Sequence, residues 1–421
     1  MTMERFNGED NMNIDVPSPT RFADRYPNLG TATIPVDVNT SIEIFEQERQ
    51  VFRRSWLIVG RVEDVLDAGS FFVKEIPTLR TSILITRTAD GEILAFHNTC
   101  QHRGNKLVCS AAHSGRAKGF SCGFHGWTYD LQGQLVTVPD EQKFAGLDKS
   151  KRGLTKVAVG EWEGFIFVCL EPTESLEESL GERYSQFDGY LGDLHCFAHY
   201  AADVGVNWKI FIDAFAEGYH VPFIHGKSLP DAITGQHNPL CHVIDIQLFE
   251  RHRLLSLPAN SAYEPSPVEK LISRHAKAPV FPALKADLEK LPPGVNPTKD
   301  PSWGFDINIL SPASYFAPWA NGMLLIYYFW PISVDETRWE VGLYWNKPQN
   351  AAERLNQELT GKMTISVVRE DLSSLESTQQ TMLSGSIKSL VLSDEEIAVR
   401  HGYHVMSKAI AKIGEKPVDQ N

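Results

Sequence analysis

Residues 98–127 open with Asn98-Thr-Cys-Gln-His-Arg-Gly104 and close with Ser121-Cys-Gly-Phe-His-Gly-Trp127. Cys100 and His102 come from the first loop, Cys122 and His125 from the second, with nineteen residues between His102 and Cys122. Two thiols and two imidazoles so arranged make a four-ligand metal site. Zinc takes the same donors in a tetrahedron, yet zinc fingers pair Cys with Cys and His with His along the chain. One of each per loop suits a two-iron, two-sulfide cluster, in which a pair of histidines replaces a pair of cysteines on one iron. Gly104, Gly123 and Gly126 let the backbone approach, so that amide N–H groups can reach the sulfurs. Trp127 is placed to keep water away. Cys109 and His113 fall between the loops without matching neighbours and read as loop positions.

The chain around this stretch has an ordinary globular composition, 42% hydrophobic and 22% charged. Its 421 residues are many for one core, so two domains are expected. The longest apolar run, 323–332, is too short to cross a bilayer. The polar opening Met-Thr-Met-Glu-Arg-Phe is not that of a signal peptide, and a cytoplasmic protein with no membrane partner is expected. Six cysteines, two of them assigned to the cluster, give no disulfide framework. A formal net charge of −13 argues against a nucleic-acid partner. Residues 100–156 oppose that balance, with nine Lys or Arg against four Asp or Glu. The bland reading is a solvated surface; the sharper expectation is a docking face for an acidic electron donor.

In chain order, residues 1–40 are rich in Pro, Asn, Asp and Thr and read as an extended arm. Apolar residues at Ile42, Ile44, Phe45, Val51, Phe52 and Trp56 predict a helix capped by Thr40 or Ser41. Short apolar runs at 56–60, 71–73, 82–85, 93–96, 135–138 and 165–168 follow, with turn signals at Asp90-Gly91 and Gln132-Gly133. They predict a small all-β domain, ending near Pro172, where an acidic stretch begins a linker or helix. The expected division is 1–50, arm and helix packing with the second domain; 51–172, the cluster domain; and 173–421, the second domain.

A second set of chemistry-bearing residues begins at Asn207, which is read as the cap of a helix reaching Tyr219. Asp213, Glu217 and His220, four and three apart, then share one face. The remainder, from Trp208 through Ile210, Phe211, Ile212, Ala214, Phe215 and Ala216, is apolar. Acids inside so buried a helix need a metal or a paired network. Pro222 is expected to end or kink the helix, bringing His225 toward His220 instead of about 140° around the axis. Strands are read at 305–309, 323–330 and 339–345, and a long helix from about 350 to 383. On that helix Glu370 falls with Ser366, Ser373, Ser374 and Ser377 and is read as a solvated acid, whereas Asp371 faces the core. His220, His225 and Asp371 make a 2-His-1-carboxylate set with open positions. A helix-face salt bridge is the plainer alternative for Asp371.

With both centres in view, the sequence resembles the catalytic α subunit of the Rieske non-haem iron oxygenases, the aromatic-ring-hydroxylating family. The resemblance runs from near Ser41 to Glu370-Asp-Leu-Ser-Ser-Leu-Glu376. It implies an α+β fold: a small all-β Rieske domain and a larger catalytic domain of antiparallel sheet covered by helices. It implies that Cys100 and Cys122 hold one iron of the [2Fe-2S] cluster, His102 and His125 the other, and that His220, His225 and Asp371 hold a mononuclear Fe(II). An acid three residues before the first iron histidine bridges in the family to a cluster histidine of the neighbouring subunit. Here that acid is Glu217, where better-known members have Asp, and His125 is expected to meet it. Asp213 matches a further acid behind the iron ligands. The resemblance also implies a head-to-tail homotrimer, with β subunits in some members, and electrons from NAD(P)H through a reductase and a ferredoxin. The expected reaction is O₂-dependent hydroxylation of an apolar, aromatic substrate, by attack on the ring or by oxidative N- or O-dealkylation. Pocket walls are expected from Phe211, Phe215, Phe305, Ile307 and the 323–330 strand. A Rieske electron carrier without oxygenase activity would explain residues 98–127 but not the second set, and a structural zinc protein explains less.

Overall fold

A computed structural model describes residues 21–109, 114–229, 231–276 and 287–414; residues 1–20 of the expected arm, and His113, lie outside them. The fold is α+β, built on two seven-stranded antiparallel sheets. In spatial order the first contains Leu57–Arg61, Phe165–Cys169, Lys156–Trp162, Ile93–His97, Thr81–Arg87, Ser70–Ile76 and Ser114–Arg116. Asp90-Gly91 turns Thr81–Arg87 into Ile93–His97, with Gly91 at φ 90°. A three-stranded sheet of Phe120–Ser121, Thr128–Tyr129 and Leu135–Thr137 packs beside it, and the second cluster loop is the connection between its first two strands. At the Gln132-Gly133 turn, Gly133 has φ 77°, and a Cβ there would come within 2.5 Å of the Phe96 ring. That close approach seats the small sheet on the large one and demands glycine.

The second sheet contains His195–Val204, Glu336–Trp345, Leu324–Ser333, Ser314–Pro318, Trp303–Leu310, Arg253–Pro258 and Asp245–Leu248 in spatial order. Helices α1 (Ile42–Arg54), α2 (Trp208–Asp213), α3 (Val221–Ile224), α4 (Ala351–Leu383) and α5 (Ile397–Gly414) accompany the sheets. Two caps fall where the sequence puts them, at Ser41 and Asn207, and Asn350 adds a third. Ser41 Oγ accepts from Ile44 N at 3.2 Å, Asn207 Oδ1 from Lys209 N at 3.0 Å, and Asn350 Oδ1 from Ala352 N at 3.0 Å.

The helix expected over 207–219 is shorter. α2 stops at Asp213, and residues 214–216 follow in tight turns, with Phe215 N bonded to Ile212 O and Ala216 N to Asp213 O. Gly218 lies so close to Cys241 that a Cβ would meet the Cys241 carbonyl oxygen at 2.6 Å, so only glycine fits there. Pro222 therefore does not end a helix; it occupies the first turn of α3, where its missing N–H costs nothing.

Residues 21–40 wrap the second domain. Phe22 and Ala23 donate their N–H groups to Asp394 at 2.8 and 2.9 Å, Arg25 pairs with Asp245 at 2.6 Å, and Ile34 pairs with Leu390. α1 is anchored by a buried ion pair: Lys209 Nζ lies 2.6 Å from Glu48 Oε1, and Trp208 Nε1 donates to Glu48 at 2.9 Å. The two sheets are clasped by Lys74, whose Nζ is 2.6 Å from Glu340 and sits over the ring of Tyr328.

Candidate active site

At the first centre, the thiols of Cys100 and Cys122 are buried while His125 is exposed at the loop tip. The His102 and His125 rings approach to 4.6 Å between centroids, and Trp127 stacks on His102 at 4.8 Å. Tyr129 Oη lies 3.5 Å from Cys100 Sγ, and Asn105 Nδ2 donates to Cys122 Sγ at 3.7 Å. Against the cost of burial, the backbone N–H groups of Phe124 and His125, with Cys100 and Asn105, hold the Cys122 thiol below its ordinary range. Thiolate is the ligating form of cysteine. His102 Nδ1 is buried and has no hydrogen-bond partner among the described residues, as a nitrogen reserved for a metal would be. This donor set fits the cluster. Cys109 is exposed and stands apart from it.

The surrounding positive charge is partly neutralised from outside the stretch. Lys106 pairs with Glu75 at 2.8 Å and Arg116 with Asp67 at 3.2 Å, while Arg103 lies over the exposed Phe124 ring. The net field there is weaker than the local count of residues implies.

At the second centre, His220 and His225 bracket the single turn of α3, and Asp371 reaches them from α4. One ligand atom from each lies within 4.8 Å of the others. Asp371 Oδ1 is buried, 2.9 Å from His225 Nε2 and 3.5 Å from His220 Nε2. Two imidazole nitrogens and a buried carboxylate oxygen converging on one point are a donor set that fits a metal. Glu217 Oε1 holds His220 Nδ1 at 2.5 Å, and its other oxygen accepts the His220 backbone N–H at 3.1 Å.

Two readings of the sequence change here. Asp213 does not share a face with Glu217 and His220, because α2 ends at that residue. Its carboxyl borders a separate small cavity with Lys209, Arg253 and Tyr403, away from His220, His225 and Asp371. Glu370 is not a free solvated acid: its Oε2 lies 3.0 Å from His225 Nδ1 and accepts from Ser228 Oγ at 2.5 Å. Helical phase missed it, although the Glu370-Asp371 pairing in the sequence was a usable signal.

The ligands open on a concave, mostly apolar cavity that is partly open to solvent. Its walls include Phe215, Phe305, Ile307, Trp319, Met323, Leu325 and Tyr327, with Val367 and Val368 from α4. Phe305 and Trp319 stack at 4.5 Å, Tyr315 and Tyr327 at 4.7 Å. Phe211 is absent from the walls; it is core, packed on Phe329 and Trp339. No Lys or Arg lines the cavity among the described residues. Burial pushes the Tyr327 hydroxyl far above its ordinary range, so that it stays neutral.

A β domain with a two-Cys, two-His cradle, followed by a helix-covered sheet with a 2-His-1-carboxylate set, defines a class of two-centre iron protein. Residues 55–157 match the family model of the Rieske [2Fe-2S] domain, and residues 191–412 that of the ring hydroxylating alpha subunit (catalytic domain). The chain belongs to the ring-hydroxylating α-subunit family, with which come a Rieske cluster and a mononuclear iron. It is 29% identical over 194 residues to the carnitine monooxygenase oxygenase subunit of Acinetobacter baumannii, covering 45% of this chain and 51% of that protein. It is 33% identical over 197 residues to the large oxygenase component of the naphthalene 1,2-dioxygenase system of Pseudomonas aeruginosa, covering 44% and 43%. The chain thus spans about half the length of the curated relatives it matches. In fold it is similar to a solved quaternary ammonium Rieske monooxygenase, with a TM-score of 0.73 at 22% identity, covering 91% of this chain and 97% of that one. Naphthalene 1,2-dioxygenase from Rhodococcus sp. bound to indole superposes with the same TM-score at 18% identity, covering 94% and 97%. No helix among the described residues is long and apolar enough to cross a membrane.

Proposed function

We propose that this chain is the oxygenase component of a multicomponent system, working in the cytoplasm as a head-to-tail trimer reduced by a ferredoxin and its reductase. The observation that carries the reading is a 2-His-1-carboxylate set opening directly on an apolar, aromatic-walled cavity. In this reading Cys100 and Cys122 hold one cluster iron, His102 and His125 the other, and His220, His225 and Asp371 hold the mononuclear Fe(II). When bound, the two centres supply single-electron transfer and the reductive use of O₂ at a position left open by three protein ligands.

The protein's own residues do the rest. Phe215, Phe305, Trp319 and Tyr327 bind an apolar ring and exclude water from the reacting end of the cavity. Glu217 fixes His220 through Nδ1, and its carboxylate is the group to which the partner subunit's His125 would donate in the trimer. The exposure of His125 supports that role. The substrate is an apolar, aromatic compound, oxidised on the ring or at an N- or O-alkyl group.

A second reading, oxidation of a quaternary ammonium compound, is favoured by the aromatic faces and by the lack of Lys or Arg lining the cavity among the described residues. The test is mass spectrometry of products formed under ¹⁸O₂ with a surrogate ferredoxin and reductase. The panel comprises arenes, N-alkyl anilides, methoxyarenes and trimethylammonium compounds. Label retained on a ring supports hydroxylation, loss of an alkyl group as aldehyde supports dealkylation, and turnover of trimethylammonium compounds alone supports the second reading. No labelled product and no O₂ uptake with any of them would leave the electron carrier as the better account.

A further inference from the structure

We propose that Glu370 is the positioning residue for His225, fixing its tautomer and ring plane, and that Ser228 orients Glu370 for that task. The inference rests on the reading of His220, His225 and Asp371 as iron ligands. His225 is 3% exposed, with Nδ1 3.0 Å from Glu370 Oε2 and Nε2 2.9 Å from Asp371 Oδ1. A neutral imidazole donates from one nitrogen and offers a lone pair at the other. A carboxylate on Nδ1 therefore places the proton there and leaves the Nε2 lone pair for the metal, on the side where Asp371 lies.

Each histidine thus has its own carboxylate behind it, Glu217 for His220 and Glu370 for His225. Glu370 and the ligand Asp371 are adjacent on α4, so ligand and support are carried by one rigid element of 33 residues. Ser228 adds a second constraint. It donates to the same Glu370 oxygen at 2.5 Å, and it lies in the segment that continues from His225, where Leu229 N bonds to His225 O at 2.9 Å. Leu229 and Ile233 of that segment line the cavity. The wall and the metal ligand are therefore joined through Ser228 and Glu370.

The experiment uses the full-length, cluster-loaded protein and three variants, Glu370→Ala, Glu370→Gln and Ser228→Ala. Fe(II) affinity is measured by competition with a chelator, and the electron paramagnetic resonance signal of the nitric oxide adduct reports the ferrous site; cluster absorbance checks folding. Glu370→Ala should weaken Fe(II) binding by roughly 10- to 100-fold and alter the signal, the range seen on losing a carboxylate behind a metal-bound histidine. Glu370→Gln, which keeps an oxygen to accept from Nδ1–H, should restore most of the affinity. Ser228→Ala should change the signal in the same direction by less. Wild-type affinity and signal in Glu370→Ala, with the cluster intact, would overturn the inference alone. Wild-type protein that keeps its cluster yet takes up no second iron would overturn the ligand reading, and this inference with it.

Discussion

Asp213 and His252 pull the pH dependence of stability in opposite directions. Desolvation raises the Asp213 carboxyl to about 7, despite offsetting contacts from Tyr403, Arg253 and Lys209. Between its ordinary 3.8 and that value the folded protein keeps a proton the unfolded chain has lost. Its contribution is full below 3.8 and is lost as pH rises through 7. His252 is the reverse. Desolvation depresses it to about 3, and both ring nitrogens are satisfied in the neutral form, with Nε2 donating to Ser179 O at 2.8 Å and Nδ1 accepting from Ser311 N at 3.1 Å. Protonation would remove that acceptor, so its contribution is full above the ordinary 6.5 and lost as pH falls toward 3. Each group contributes a slope of about 1.4 kcal/mol per pH unit in its window, and where the windows overlap the two cancel.

Single substitutions should expose them. For Asp213→Asn, stability relative to wild type should rise with pH by about 4 kcal/mol in all between roughly pH 4 and 7. For His252→Gln it should fall with pH by about 5 kcal/mol between roughly pH 3 and 6.5. Urea unfolding of the cluster-loaded protein, followed by circular dichroism across that range, reads both differences. A pH-independent difference for Asp213→Asn would mean that the carboxyl is ionised in the fold, contrary to the burial argument. Loss of the mononuclear iron in Asp213→Asn would return the residue to the iron site.

Lys209→Met leaves the Glu48 carboxylate, 1% exposed, without its cation, and should cost about 3–5 kcal/mol in the same unfolding assay. Adding Glu48→Leu should recover much of that loss; if it does not, the pair is not the cause. Gly133→Ala puts a Cβ 2.5 Å from the Phe96 ring at a φ of 77°, and should cost at least about 1–3 kcal/mol, seen as lower cluster content at a given temperature. Full cluster occupancy and unchanged stability would refute the packing argument. Glu217→Gln should keep both metals, measured by iron analysis, yet stop electron delivery and turnover. Normal turnover in that variant would refute the proposed role of Glu217 between subunits.

The cluster loops were legible because their ligands are local: each loop carries its own Cys and His, and no long-range contact is needed to see them. The second sheet was half hidden. Arg253–Pro258 is buried at every position, so it has no alternation to read. Helical phase misplaced Asp213 because it assumed that α2 continued to Tyr219, whereas the chain leaves the helix at Asp213 for tight turns. The same reasoning gave the right side for both members of the Glu370-Asp371 pair, and the wrong role for one. Phase fixes the direction in which a side chain leaves the helix. Asp371, short and pointing inward, is buried with its carboxylate beside both histidines. Glu370 leaves about 100° away and keeps 31% of its side chain exposed, yet its extra methylene lets the carboxylate bend back to His225 Nδ1. In a Glu-Asp pair at the edge of a buried face, direction selects the residue that can bind the metal, and side-chain length allows its neighbour to support it.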